Sequence, residues 1–292
     1  MQASGLTSGL IVGAAVLYTA SGAFATRSLF RGEATDAPTG RRMAARATLA
    51  LGALALTLAL AHATWLAGHL PVFDVPGACL VLIWTASCVY LAFDRTAPIG
   101  GLQPVLFPVV LLLFVSGGLL ALRGDMPATA GTPAVVALHV ALAIAAYAAF
   151  LLAAAAGVLY LVQDRAVRRG VASAVADPLP SLQRLDRLTL AMLLVGLPLL
   201  TAALLVGLGQ AHALRAPHVW RDPTVAGAVV LWGFYAAVLL LRGTARVRGR
   251  KVAWATIVGF LAVLATLLGT GLLGEHDHPT RRVVSATAEA PR

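Results

Sequence analysis

The chain has 292 residues, of which 59% are hydrophobic and only 12% charged, and its mean hydropathy is +0.86. A water-facing surface needs about twice that share of charge, so a soluble domain of this length is excluded. The net charge of +10 does not point to nucleic acid. The basic residues lie in short runs between apolar segments, where they anchor helices to an anionic leaflet.

Eight apolar segments, each near the length that crosses a bilayer, follow one another. They run over Gly9–Phe30, Met43–Leu66, Pro76–Phe93, Leu102–Leu122, Ala134–Val162, Leu188–Gly209, Thr224–Leu241 and Val252–Leu273. The expected fold is an all-α polytopic integral membrane protein with about eight transmembrane helices, forming one domain over residues 1–292. The start, MQASGLTSGL, has no basic n-region, so no cleavable signal peptide is expected. The tail from about residue 279 to 292 is small and polar and is expected to be disordered. Cys79 and Cys88 fall nine residues apart in one span, on opposite helix faces, and cannot pair with each other.

Orientation follows from arginine and lysine. With the ends of the first and third spans placed inside, sixteen of the 22 basic residues fall in internal segments, among them Arg41, Arg42, Arg46, Arg95, Arg165, Arg168, Arg242 and Lys251. Both termini are then external. On this topology all seven histidines lie on or near the outer face, whereas every Asp and Glu falls in a loop or at a helix end. A proton- or sodium-coupled transporter usually keeps an acid near mid-membrane, and its absence here counts against a small-solute transporter.

The fifth span carries the most informative residue. It is a long uncharged run, starts after Thr132-Pro133 and ends in an arginine cluster. His139 sits inside it, about a turn and a half from its start. An imidazole at that depth needs a partner: a neighbouring backbone carbonyl, or a metal such as haem iron, for which histidine is the usual ligand. His276 and His278, in EHDHPT after the last span, are candidates for a second axial ligand, although an HxH pair in a polar tail also binds adventitious metal. His62, near the outer end of the second span, is a third ligand, a propionate partner or an interfacial histidine. In the external loop HALRAPHVWRDPT, Trp220 sits at the headgroup level or against a porphyrin. Asp222 reads as the cap of a helix that opens with Pro223, and Arg215 and Arg221 could meet propionates. No CxxCH, Walker lysine loop, HExxH or GxSxG occurs.

Several stretches resemble the cytochrome c assembly family of haem-handling membrane proteins, the CcsA/CcmC-like proteins and the HemX/YpjD-like branch. HVALAIAAYAAFLLAAAAGVLYLVQDRAVRR is similar to the family's histidine-led helix with its basic end. DPLPSLQRLDRLTL resembles the cytoplasmic LPPLxxLExLxxR, and the stretch from Asp222 through EHDH resembles the closing two helices. LAHATWLAGHLPVF resembles the YpjD-like end of the second span.

The resemblance implies haem b held at the outer leaflet with His139 and His278 (His276 as the alternative) as iron ligands. It also implies His62, Trp220 and Asp222 as further haem contacts, and cytochrome c maturation proteins as partners in a bacterial inner membrane. No catalytic activity is implied for the chain by itself. Two departures favour the HemX/YpjD-like branch. The W-x-W-D-P-K motif is here Val219-Trp220-Arg221-Asp222-Pro223-Thr224, and the family's histidine in the seventh span falls on Leu240. The alternative function on that branch is a membrane regulator or scaffold of tetrapyrrole metabolism without bound haem.

Overall fold

A computed structural model of the chain describes residues 2–31, 40–68, 70–72, 74–96, 99–122, 134–169, 179–213, 223–244 and 248–272. Among the described residues the regular structure is all helical. The helices are α1 (Gln2–Phe30), α2 (Gly40–Ala67), α3 (Val75–Thr96), α4 (Gln103–Leu122), α5 (Ala134–Arg168), α6 (Leu182–Ala213), α7 (Pro223–Thr244) and α8 (Arg250–Leu272), with a 3₁₀ turn at Gly100–Leu102 before α4. Seven are long and apolar enough to cross a membrane, and α4 contributes a shorter apolar segment, Gln103–Gly117. The protein is a polytopic membrane protein, with one helix for each apolar segment of the sequence.

The odd-numbered helices end in cations: Arg27 in α1, Arg95 in α3, Arg165 and Arg168 in α5, and Arg242 in α7. Among the even-numbered helices, α2, α4 and α8 have no basic residue in the last turn. A cation there complements the negative end of the helix dipole. The alternation matches up-and-down threading, and the contacts agree with it. Near the start of α1, Thr7 meets His62 near the end of α2. Ser21, further along α1, meets Ala45 early in α2. Cys79 near the start of α3 faces Gly117 in the second half of α4.

Helix α5 is the hub. It packs most extensively on α6 and also lies against α8, α3 and α4, while α1 and α2 form a second close pair. Every residue from Ala148 to Gly157 is buried, as a helix surrounded by neighbours requires. Lipid offers no hydrophobic drive for helices to associate, so close approach at small residues and polar contacts must do it. Gly196 of α6 leaves space for the Phe150 ring of α5, and Gly259 of α8 for the Tyr235 ring of α7. Phe150 and Tyr235 in turn stack with centroids 3.8 Å apart and planes 6° from parallel. These residues fall near the middle of their helices and lock α5, α6, α7 and α8 together at mid-depth.

The inner ends are pinned by polar pairs. The Arg242 guanidinium of α7, 7% exposed, grips both Asp186 carboxylate oxygens of α6 at 2.9 and 2.7 Å. Arg46 of α2 donates to the Asp94 carboxylate of α3, whose other oxygen accepts from the Ile99 amide at 2.8 Å. At the turn into α8, Gly249 has φ +68°, a backbone state that glycine adopts without strain. It also lies where the Tyr160 hydroxyl of α5 would clash with any Cβ, at 2.6 Å.

Candidate functional site

His139 is the sixth residue of α5 and faces α6. Its Nδ1 lies 2.6 Å from the Ala203 carbonyl oxygen. A carbonyl can only accept, so Nδ1 carries a proton, and in the neutral ring the lone pair is then on Nε2. The ring lies against the α6 backbone at Gly207, one turn beyond Ala203. A Cβ at Gly207 would stand 2.7 Å from Cε1, 2.9 Å from Nδ1 and 3.5 Å from Nε2. The seam is therefore a cradle: a helix carbonyl fixes the tautomer, and a glycine clears the space for the ring. This is the tautomer of a histidine that ligates iron through Nε2, whose other nitrogen characteristically donates to a carbonyl or carboxylate. The two sequence readings of His139, carbonyl partner and ligand, are thus compatible in one geometry.

His62 occupies the matching depth in the α1–α2 seam. Its Nδ1 is 2.7 Å from the Thr7 hydroxyl, a group that donates or accepts and so leaves the tautomer open. His62 and His139 each sit on their own helix pair. His212, in the last turn of α6, is exposed. His276, His278, Trp220 and Asp222 lie outside the described residues, as do Arg215, Arg221 and the tail. Pro223 opens α7. Leu240, where the resemblance expects a membrane histidine, is 64% exposed on the outside of the bundle. Among the described residues no group of three or more His, Cys, Asp or Glu side chains could hold a metal ion.

Sequence reasoning missed the residues that build the seam. Neither Ala203 nor Gly207 carries a chemical signal, because a backbone carbonyl and a missing Cβ become recognisable only when the opposing ring is in place. It also missed the polar cluster of the inner half. There the Gln103 amide of α4 donates to the Ser21 hydroxyl of α1 and reaches the Ala45 carbonyl of α2, a pairing that no local sequence shows.

The sequence profile of the family described as "Cytochrome C assembly protein" matches residues 72–278, from just before α3 to beyond α8. Among curated proteins, the chain is similar to "Cytochrome c biogenesis protein CcsA" of Prochlorococcus marinus (strain MIT 9301), 28% identical over 76% of this chain and 79% of the relative. The protein of the same name from Synechococcus sp. (strain CC9902) is 26% identical over 78% of this chain and 84% of the relative. "Protein HemX" of Bacillus subtilis (strain 168) is 23% identical over 75% of this chain and 80% of the relative.

Proposed function

The chain belongs to the cytochrome c assembly protein family, and from that premise we propose that it binds haem b at the outer leaflet of a bacterial inner membrane and presents it for cytochrome c biogenesis. The observation that carries this reading is the Nδ1 contact of His139 to the Ala203 carbonyl, which holds the Nε2 lone pair in the orientation set by α6. The residues at hand fit the group: an imidazole whose Nδ1 is held by a carbonyl, leaving Nε2 as the coordinating nitrogen of its neutral form, is the donor a haem iron takes. His139 would be one of the residues that hold the iron. His278, or His276 in its place, would supply a second ligand, and Trp220, Asp222 and His62 would be further contacts.

When bound, the haem supplies the vinyl groups that an apocytochrome's thiols capture, and this chain's part is ligation and positioning. Its partners are haem, lipid and other maturation proteins.

The test is the optical spectrum of the full chain purified in detergent, with a pyridine haemochrome assay. A near-stoichiometric, six-coordinate b-type spectrum that is lost in His139→Ala is expected. A protein that stays colourless after haem is added overturns the ligand assignment. It would favour a second reading, a membrane regulator of tetrapyrrole synthesis acting through its basic inner face, which the similarity to "Protein HemX" supports.

A further inference from the structure

The two halves of the bundle are built alike, down to single residues. Helix α1 packs on α2 as α5 does on α6, and α2 on α3 as α6 on α7; α3 packs on α4 as α7 on α8, and α1 on α4 as α5 on α8. Gly52 of α2 underlies the Tyr18 ring of α1, and Gly196 of α6 underlies the Phe150 ring of α5. Five residues after each glycine stands a threonine, whose hydroxyl accepts from a tryptophan on the next helix. Trp84 donates to Thr57 at 2.8 Å and Trp232 to Thr201 at 2.9 Å. Three residues after each tryptophan lies the side chain that meets the ring over the glycine: Ser87 on Tyr18, Tyr235 on Phe150. Ten residues after each tryptophan comes one member of an ion pair to the helix before, Arg46–Asp94 in one half and, with the signs exchanged, Asp186–Arg242 in the other. Four helices return the chain to the side it started from, so these are parallel repeats of one unit.

Matched on these landmarks, the halves differ at the junction between them. Helix α3 packs on α2 and α4 and also lies along α5, the first helix of the second unit, whereas α7 packs on α6 and α8. The stripe Ala78, Leu82, Val89 and Phe93 of α3 is buried or half-buried, but its counterpart on α7, Ala226, Val230, Ala237 and Leu241, is exposed. Leu82 is 0% exposed and Val230 72%. The other side of the junction behaves the same way. On α5, Ile144, Ala148, Leu151 and Ala155 are buried, while their counterparts on α1, Val12, Val16, Thr19 and Ala23, are exposed. That open face of α1 also carries Gly5, Gly9 and Gly13, where an added Cβ would meet nothing within 4 Å. This is the spacing at which membrane helices approach closely.

We propose that the junction is used again between molecules: α7 of one copy packs on α1 of a second copy, as α3 packs on α5 within the chain. The occupant follows from the repeat. What lies along α3 is the first helix of a following unit, and the chain's own first helix carries the matching open face. Helices α3 and α5 run in the same direction, as do α7 and α1, so copies of one membrane orientation meet without inversion. The contact is heterologous and joins copies head to tail. It does not rest on the proposed haem site.

The test is cross-linking in native membranes between two differently tagged copies, in a Cys88→Ser background because that thiol is exposed. One copy carries Val16→Cys and the other Val230→Cys, both on outward faces where the change leaves the fold intact. The linked product is expected at several times the yield of a control pair, Leu54→Cys with Val230→Cys, in which Leu54 is exposed on α2. A yield no higher than the control's overturns the proposal. So does a link between two Val16→Cys copies that exceeds the mixed one, the mark of a two-fold contact through α1. A second measurement is the particle mass of the unsubstituted chain extracted with its surrounding lipid. Particles of more than one copy are expected, and single copies throughout overturn the contact.

Discussion

The α5–α6 seam and the α1–α2 seam are built on the same plan but tuned differently. Each carries a histidine near its outer end, and each has a glycine at mid-depth against an aromatic ring: Gly196 under Phe150 in one, Gly52 under Tyr18 in the other. In the α5–α6 seam the partners are rigid. His139 meets a main-chain carbonyl, and Phe150 is backed by the stacked ring of Tyr235. In the α1–α2 seam they can yield. His62 meets a hydroxyl that can rotate, and Tyr18 borders a cavity. A ligand that must hold a metal benefits from the first arrangement, because a fixed acceptor sets both tautomer and ring orientation. The difference marks His139, rather than His62, as the side chain the fold holds in place.

The largest expected effect separates the two histidines directly. His139→Ala should abolish bound haem in the haemochrome assay, while His62→Ala should retain most of it. The reverse result would move the candidate site to the other seam.

The glycines give the next effect, on stability in detergent. A Cβ at Gly196 would stand 2.6 Å from Phe150 Cε1, and that ring is held by Tyr235. Gly196→Ala should therefore cost about 3 kcal/mol, the upper end for overpacking. In Gly52→Ala the Cβ would stand 2.9 Å from Tyr18 Cδ2, and the ring has a cavity to move into, so about 1 kcal/mol is expected. Equal losses in equilibrium unfolding would show that the two seams are equally stiff.

Gly207→Ala should cost about 2 kcal/mol by the same overpacking and should also displace the His139 ring. Its haem content should then fall several-fold even where the protein still folds. Normal haem content in a folded Gly207→Ala would show that the cradle does not position the imidazole. The smallest effect is expected for Thr7→Val, which removes one hydrogen bond between helices in lipid, worth about 0.6 kcal/mol. It should leave haem content unchanged, and a marked loss of haem would show that His62 takes part.

Much of the architecture was legible along the chain. The eight apolar runs became eight helices, and the charge asymmetry reappeared as basic last turns on α1, α3, α5 and α7. The opposite faces expected for Cys79 and Cys88 are found as one buried and one exposed thiol. Half of the candidate site was legible too, in the sense that an imidazole inside an uncharged span had to have a reason. What could not be read was the partner. Arg242 and Asp186 are 56 residues apart, and nothing in either local sequence says that they meet.

The sequence by itself determined that this is a polytopic helical membrane protein, how many times the chain can cross, and which histidines fall near which helix ends. Those are sums of hydropathy and charge over neighbouring residues, and they survive any rotation of a helix about its axis. Only the tertiary structure decided that His139 turns toward Ala203 and Gly207, that Phe150 is clamped between Gly196 and Tyr235, and that Gln103 meets Ser21. Those depend on the rotation and vertical register of each helix. Lipid, as apolar as the helix surfaces themselves, sets neither; the fit of rings over glycines and of polar groups across the seams sets both.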